Sequence, residues 1–102
     1  MKMAKMIVTY TEPTNIEGFQ EHYFNVHIPL VEKLPNIKNA SVQYVKQTMN
    51  TDENLYLVAQ LEFENLQELG AAMQSQEGQE TAGDVANLMP FLAKPPVIAI
   101  VE

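Results

Sequence analysis

The order of hydrophobic patterns along this 102-residue chain predicts a single α+β domain with β-α-β-β-α-β order. Its four strands would form one antiparallel sheet carrying both helices on one face. Three observations predict it. Apolar residues alternate with polar ones in three segments, two of them consecutive. Segments repeating every three to four residues separate those strands in the two places the order requires. The chain closes on "PPVIAIVE", a nearly unbroken apolar run of strand length.

The elements follow in order. "AKMIVTYT", from Ala4 to Thr11, reads as a first strand stopped at Glu12 and Pro13. Thr14 and Asn15 offer a helix N-cap, and Glu17 places an anion in the first turn, where the helix dipole favours it. Ile16, Phe19, Tyr23, Val26, Leu30 and Leu34 then recur on one helical face, opposite Glu17, Glu21, Asn25, Glu32 and Lys33. Pro35 and Asn36 end that helix, and asparagine tolerates the left-handed conformation common at such ends. "IKNASVQYVKQT", from Ile37 to Thr48, reads as a second strand with Ala40, Val42 and Tyr44 on one face. The polar "MNTDEN" makes a hairpin-sized loop, and "LYLVAQLEFE" a third strand with Leu55, Leu57, Ala59, Leu61 and Phe63 on one side. Asn65 and Glu68 form a capping-box variant opening a helix whose Leu66, Leu69 and Met73 share a face. Two glycines mark "SQEGQETAGD" as a loop, and "AGDVANLMPFL" reads as a short helix or turn with Asp84 near its start. No repeat, linker or low-complexity stretch divides residues 1–102. The order is the split βαβ arrangement of ferredoxin-like folds.

Such a sheet leaves one face bare. Here "VIAIV" is apolar on both sides, and Ile7, Val45, Tyr56 and Val58 add apolar surface to the uncovered face. A second copy packed on that face is the simplest cover, so the expectation is a homodimer. A bulge, or the segment after Gly78, covering that face within one chain is the alternative.

Composition narrows the function. The formal net charge is -7, with six lysines scattered singly and no arginine. No basic patch is present for nucleic acid or an anionic membrane surface. Without arginine there is no planar fork to clamp a carboxylate or phosphate, so an apolar or aromatic ligand is favoured over a multiply charged one. There is no cysteine, which removes disulfides, thiolate catalysis and thiolate metal sites. No apolar run reaches signal-peptide or membrane-spanning length, and a cytoplasmic protein is expected.

The chemistry concentrates in "HYFNVHIPLVEKLPN", from His22 to Asn36. Histidines sharing a metal on a helix sit four apart. His22 and His27 are five apart, roughly 140° around a regular α-helix, so no metal pair is expected. His27 falls within the apolar arc; His22 lies at its edge, a partly solvated position. Pro29 has no N–H, and its ring would clash with the carbonyl of Asn25, so a kink or restart is expected there. One reading is that His27 satisfies a local backbone group and fixes the kink. The other is that the kink opens a pocket and aims His27 into it as acid or base.

"FQEHYFNVHIPLVEKLPNI" resembles the signature of the EthD family, in which an aromatic and a tyrosine precede H-x-P-L and a leucine-proline stop. "TAGDVANLMPF" resembles that family's second marked segment. Asn36 stands where many relatives place glycine. The resemblance, which spans the domain, implies a dimeric α/β barrel and singles out Tyr23, His27, Pro29 and Leu30, with Asp84 in the second segment. The family takes its name from proteins encoded beside ether-degrading oxygenases, so an oxidoreductase label would be inherited. Related barrels include cofactor-free monooxygenases, polyketide cyclases, lactone isomerases and haem-degrading enzymes.

The resulting expectation is a small catabolic enzyme without a tightly bound cofactor. His27 would be its acid/base, Tyr23 or Tyr44 would orient a hydroxyl or carbonyl, and Asp84 is a candidate partner of His27. Phe19, Leu30, Leu57 and Phe63 would form the apolar wall, with Tyr44 also touching substrate. A non-catalytic carrier serving a partner oxygenase, and a haem protein using His27, are the competing readings. For each wall residue taken singly, ordinary core is the favoured explanation.

Overall fold

A computed structural model describes residues 3–102; the first two residues of the expected 1–102 domain lie outside that range. The elements are β1 (Ala4–Thr11), α1 (Ile16–His22), a π-helical turn (Tyr23–His27), α2 (Ile28–Glu32), β2 (Asn39–Tyr44) and β3 (Leu55–Phe63). They continue with α3 (Leu66–Gln74), α4 (Gln76–Leu88), a 3-10 turn (Met89–Phe91) and β4 (Val97–Val101). The strands form one antiparallel sheet in the order β2-β3-β1-β4, the ferredoxin-like arrangement read from the pattern.

The inner rows of β1 and β3 face each other in register. Ala4 pairs with Phe63, Met6 with Leu61, Val8 with Ala59 and Tyr10 with Leu57. Helix α1 adds Phe19, the π turn Tyr23, α2 Val31, α3 Leu69 and Ala72, and α4 Leu88, with Leu34 and Leu92 beside them in the buried layer. Asn15 caps α1 by accepting from the Gly18 N–H (3.0 Å), and Asn65 caps α3 by accepting from the Glu68 N–H (2.8 Å). Asn36 adopts a φ of 62° after α2, the left-handed end expected there.

Four local expectations are corrected. The segment from Ser75 to Asp84 is helix, not loop. Ser75 is the N-cap of α4, its hydroxyl accepting from the Gly78 N–H (3.0 Å). Gly78 sits in that helix because a Cβ there would lie 2.2 Å from the Ala72 carbonyl oxygen. It serves the close passage of α4 past the end of α3. Asp84 therefore lies in the third turn of α4 and caps nothing. Strand β2 covers only Asn39–Tyr44 of the expected twelve residues; exposed polar residues take over beyond Val45. Tyr56 does not contribute to the bare face: its ring stands edge-on to Phe19 at 6.0 Å, and Gln20 donates to its hydroxyl (2.7 Å).

The fourth correction matters most. The first helix neither breaks nor restarts at Pro29; it widens. The Ile28 N–H bonds to the Tyr23 carbonyl, five residues back, and both His27 and Ile28 keep helical dihedrals. The turn holds one residue more than an α-helical turn; His27 and Leu34 are buried as their place in the apolar arc predicts, but Val31 takes the buried place expected of Leu30. His27 and Val31 are buried, whereas Val26 is exposed and Leu30 is half-buried. A π turn is one of the few ways a helix accommodates a disrupted i-to-i−4 ladder, and such turns recur at functional sites.

Edge strand β4 is uncovered on both faces. Ile98 and Ile100 pair with Val8 and Met6 on the helix side, while Val97, Ala99 and Val101 pair with Thr9, Ile7 and Lys5 on the other. All five residues are exposed.

Candidate active site

The π turn assembles the site. Phe19 and Tyr23 stack at 5.1 Å, and Tyr23 stacks on His27 at 5.5 Å, making a ladder along the inner side of the helix. Tyr10 of β1 meets the first two rings edge-on at 5.2 and 5.5 Å. The ladder fixes the plane of the His27 ring. Its hydrogen bond comes from the other helix.

Asp84 projects from α4 between the two histidines. His27 Nδ1 lies 2.9 Å from Asp84 Oδ2, and His22 Nε2 lies 2.9 and 3.0 Å from Oδ1 and Oδ2. Asn87, three residues on, donates to Oδ1 at 2.9 Å. The histidines that a regular helix would hold apart thus converge, and they converge on a carboxylate. His27 and Asp84 are 6% and 5% exposed, the only buried polar or charged side chains outside the tyrosines among the described residues.

Electrostatics assign the protons. Burial pushes the Asp84 carboxyl up, but the hydrogen bonds from Asn87, His22 and His27 outweigh it and hold the group below its ordinary value. Asp84 is therefore an anion at neutral pH and accepts from both rings. Burial lowers His27 below the ordinary histidine value, partly offset by its bond to Asp84 and that carboxylate's charge. A neutral His27 facing a carboxylate through Nδ1 carries its one proton there, leaving the Nε2 lone pair free. No protein hydrogen bond reaches that nitrogen among the described residues.

His27 borders a cavity of about 130 Å³ between helices and sheet. Its walls are Met6, Val8, Ala59 and Leu61 below, Ile28 and Val31 to one side, and Thr81, Ala82 and Val85 of α4 to the other. Tyr10 and Tyr23 also border it, and both phenols are raised by burial well above their ordinary value, so both are neutral. One imidazole and two phenols thus line a single apolar chamber.

The residues singled out from the sequence divide between this chamber and its surroundings. His27, Tyr23 and Asp84 come together. Phe19, Leu57 and Phe63 do not border the cavity; they lie fully buried in the core beside it, where they pack the sheet against α1. Leu30 is turned off the cavity, and Val31 lines it instead. Tyr44 is 41% exposed and sits with Phe24, Tyr56 and Gln20 at the far end of β2. Two residues escaped the sequence reading. Tyr10 looked like one more strand aromatic. His22 looked peripheral because its spacing was measured on an α-helix, and Pro29 was the available sign of a different turn.

Comparisons with known proteins identify the family and the fold. The model of the EthD domain matches residues 12–91. An uncharacterized 11.0 kDa protein from the thcB-thcC intergenic region of Rhodococcus erythropolis is 36% identical over 85 residues, covering 83% of this chain and 82% of that protein. The crystal structure of an EthD family protein from Bacillus halodurans has a TM-score of 0.86 at 30% identity, covering 99% of this chain and 98% of that one. SnoaB, a cofactor-independent oxygenase from Streptomyces nogalater, shares the fold (TM-score 0.68, 11% identity, 100% and 93% coverage). The two segments that carry the site, His22 to Asn36 and the one ending at Phe91, both fall inside the matched range, and the chain belongs to the EthD domain family.

Proposed function

We propose that this protein binds a small apolar or aromatic metabolite in the cavity beside His27 and acts on it without a cofactor, as a catabolic enzyme of oxidoreductase or isomerase/cyclase type. The observation that carries this reading is the pairing of a buried His27 Nδ1 with Asp84 in a ring that borders an apolar cavity. That is the arrangement of a general base whose tautomer is fixed from behind. His27 takes a proton from a phenol or from a carbon beside a carbonyl, and its Nε2–H returns it. Tyr23 and Tyr10 donate hydrogen bonds to the oxygen on which the negative charge collects. Low polarity around the base strengthens each of these contacts.

Size limits the ligand. A cavity of 130 Å³ is close to the roughly 150 Å³ apolar cavity that accepts benzene, so the reacting portion is about one six-membered ring. Larger substituents leave past Ala82, which lines the cavity and is exposed. SnoaB carries out cofactor-independent oxygenation on the same fold, which supports the architecture as a host for chemistry done by side chains.

Two further elements belong to the proposal. The protein works as a homodimer, supported by the five exposed apolar residues of β4. It works in the cytoplasm; among the described residues no helix is long and apolar enough to cross a membrane.

The test is proton exchange. Single-ring ketones and phenol ethers bearing a ketone are incubated in deuterated water with the protein, and exchange beside the carbonyl is followed by NMR. Wild type is expected to accelerate exchange, and His27→Asn to lose that acceleration. Tight binding without exchange in either protein would replace the enzyme with a carrier for the same ligand.

A further inference from the structure

Asp84 has two oxygens and serves two histidines of different exposure. His27 faces the cavity. His22, its side chain 23% exposed, lines an outer groove with Glu21, Asn25, Val26 and Phe91. Its Nε2 contacts both carboxylate oxygens, including the Oδ2 that holds His27. The shared carboxylate thus bonds both a solvent-reached imidazole and the buried one, and a change of charge on His22 is felt at His27.

We propose that His22 is the positioning residue of the acid–base pair, holding the Asp84 carboxylate in place and setting the basicity of His27 from outside the cavity. This rests on the reading of His27 as the base, but its test requires no substrate. The logic is electrostatic. When His22 is protonated, it competes for the negative charge of Asp84, and His27 holds its own proton less tightly. When His22 is neutral or absent, the full carboxylate charge is available to His27, which becomes the stronger base. The groups around this network are the neutral phenols of Tyr10, which feels the Asp84 charge, and Tyr23, which stacks on His27, with uncharged Asn87 on Asp84 and Glu21 beside His22 in the outer groove.

The π turn explains why this pairing exists in a single helix. His22 ends α1 and His27 ends the widened turn. One residue fewer, and the two rings would diverge.

The experiment is an NMR titration of the ring resonances of both histidines in the whole protein, wild type against His22→Gln and His22→Phe. Glutamine keeps an N–H donor for Asp84 but cannot become charged; phenylalanine removes the donor. In wild type, each ring is expected to show a second inflection at the other's titration. In His22→Gln, the His27 curve becomes a single step with its midpoint moved up. In His22→Phe the midpoint rises further, because Asp84 has also lost a hydrogen bond. A purely structural His22 would leave the His27 curve of the glutamine variant superimposed on wild type, and that result would overturn the proposal. Should a variant fail to fold, the wild-type curves decide alone: two independent single-step titrations rule the coupling out. Neither result bears on whether His27 exchanges protons with a ketone, so the two readings fail separately.

Discussion

Asp84 Oδ2 lies 2.9 Å from His27 Nδ1, although the two residues sit 57 positions apart and on different helices. That contact joins α4 to the π turn and fixes the side of the imidazole that faces the cavity. Replacing Asp84 with alanine orphans the buried His27 N–H and the half-buried His22 N–H. A loss of about 2–3 kcal/mol is expected, larger than for a surface substitution, because hydrogen bonds to a charged acceptor are removed at a buried site. Urea denaturation of Asp84→Ala measures it; a change below 0.5 kcal/mol, about the size seen at ordinary surface positions, would mean that the carboxylate carries no structural weight.

The same pair makes stability depend on pH with a definite sign. Burial holds His27 below its ordinary 6.5 in the folded protein. The unfolded chain therefore takes up the proton first as pH falls, and stability is full above 6.5 and declines below it. Asp84, held below its ordinary 3.8, contributes a second loss of the same sign in more acid solution. Thermal unfolding recorded on either side of pH 6.5 is expected to show the decline in wild type and a flatter profile in His27→Gln. A wild type that gains stability on acidification through this range would contradict the assignment of a neutral buried ring.

Glycines in the two C-terminal helices separate by what surrounds them. A Cβ at Gly70 or Gly83 meets nothing within 4 Å, and neither residue has a positive φ. Gly70→Ala and Gly83→Ala are expected to stabilise by about 0.5–1 kcal/mol each through helix propensity. Gly78→Ala is expected to destabilise, since its Cβ would press on backbone oxygens of Ala72 and Met73 at 2.2 and 2.5 Å. Chemical denaturation of the three variants checks the contrast in one series.

Pro29 is predicted to maintain the widened turn. Pro29→Ala supplies the N–H needed for an ordinary bond to the Asn25 carbonyl, allowing the helix to tighten by one residue. His27 is then expected to withdraw from Asp84, and Val26 to turn inward. A structure of the variant with His27 unmoved would show that packing by Tyr23 and Val31 suffices to hold the turn.

The sheet predicts the assembly. Edge strand β4 exposes Val97, Ile98, Ile100 and Val101 by 59, 54, 54 and 40%, an aggregation hazard unless a partner covers it. Light scattering at micromolar concentration is expected to report a dimer, and Val101→Lys together with Val97→Lys to yield monomer. A wild type that scatters as a monomer would remove the dimer from the account.

Strand alternation and two asparagine caps made most of the fold legible in the sequence. What escaped had specific physical causes. Gly78 and Gly83 looked like loop residues because glycine signals a break unless close packing is known, and the packing of α4 past α3 is tertiary information. Asp84 consequently seemed to start a helix rather than project from its third turn. His22 is partly solvated as expected, but one assumption, 3.6 residues per turn throughout, hid its meeting with Asp84 and misplaced Leu30. The single extra residue in the π turn undid it, bringing His22 to Asp84 and exchanging Leu30 for Val31. Tyr10 carried no signal at all, since a strand tyrosine facing the core resembles any other.

The central claim is that Asp84 fixes the proton of His27 on Nδ1 and leaves Nε2 as a free base toward the cavity. Nitrogen-15 NMR of the imidazole rings at neutral pH tests this most directly, because protonated and lone-pair nitrogens resonate far apart. The account predicts a protonated Nδ1 and an unprotonated Nε2 for His27, with the pattern lost in Asp84→Ala. A His27 protonated on Nε2 alone, or on both nitrogens at neutral pH, would contradict it.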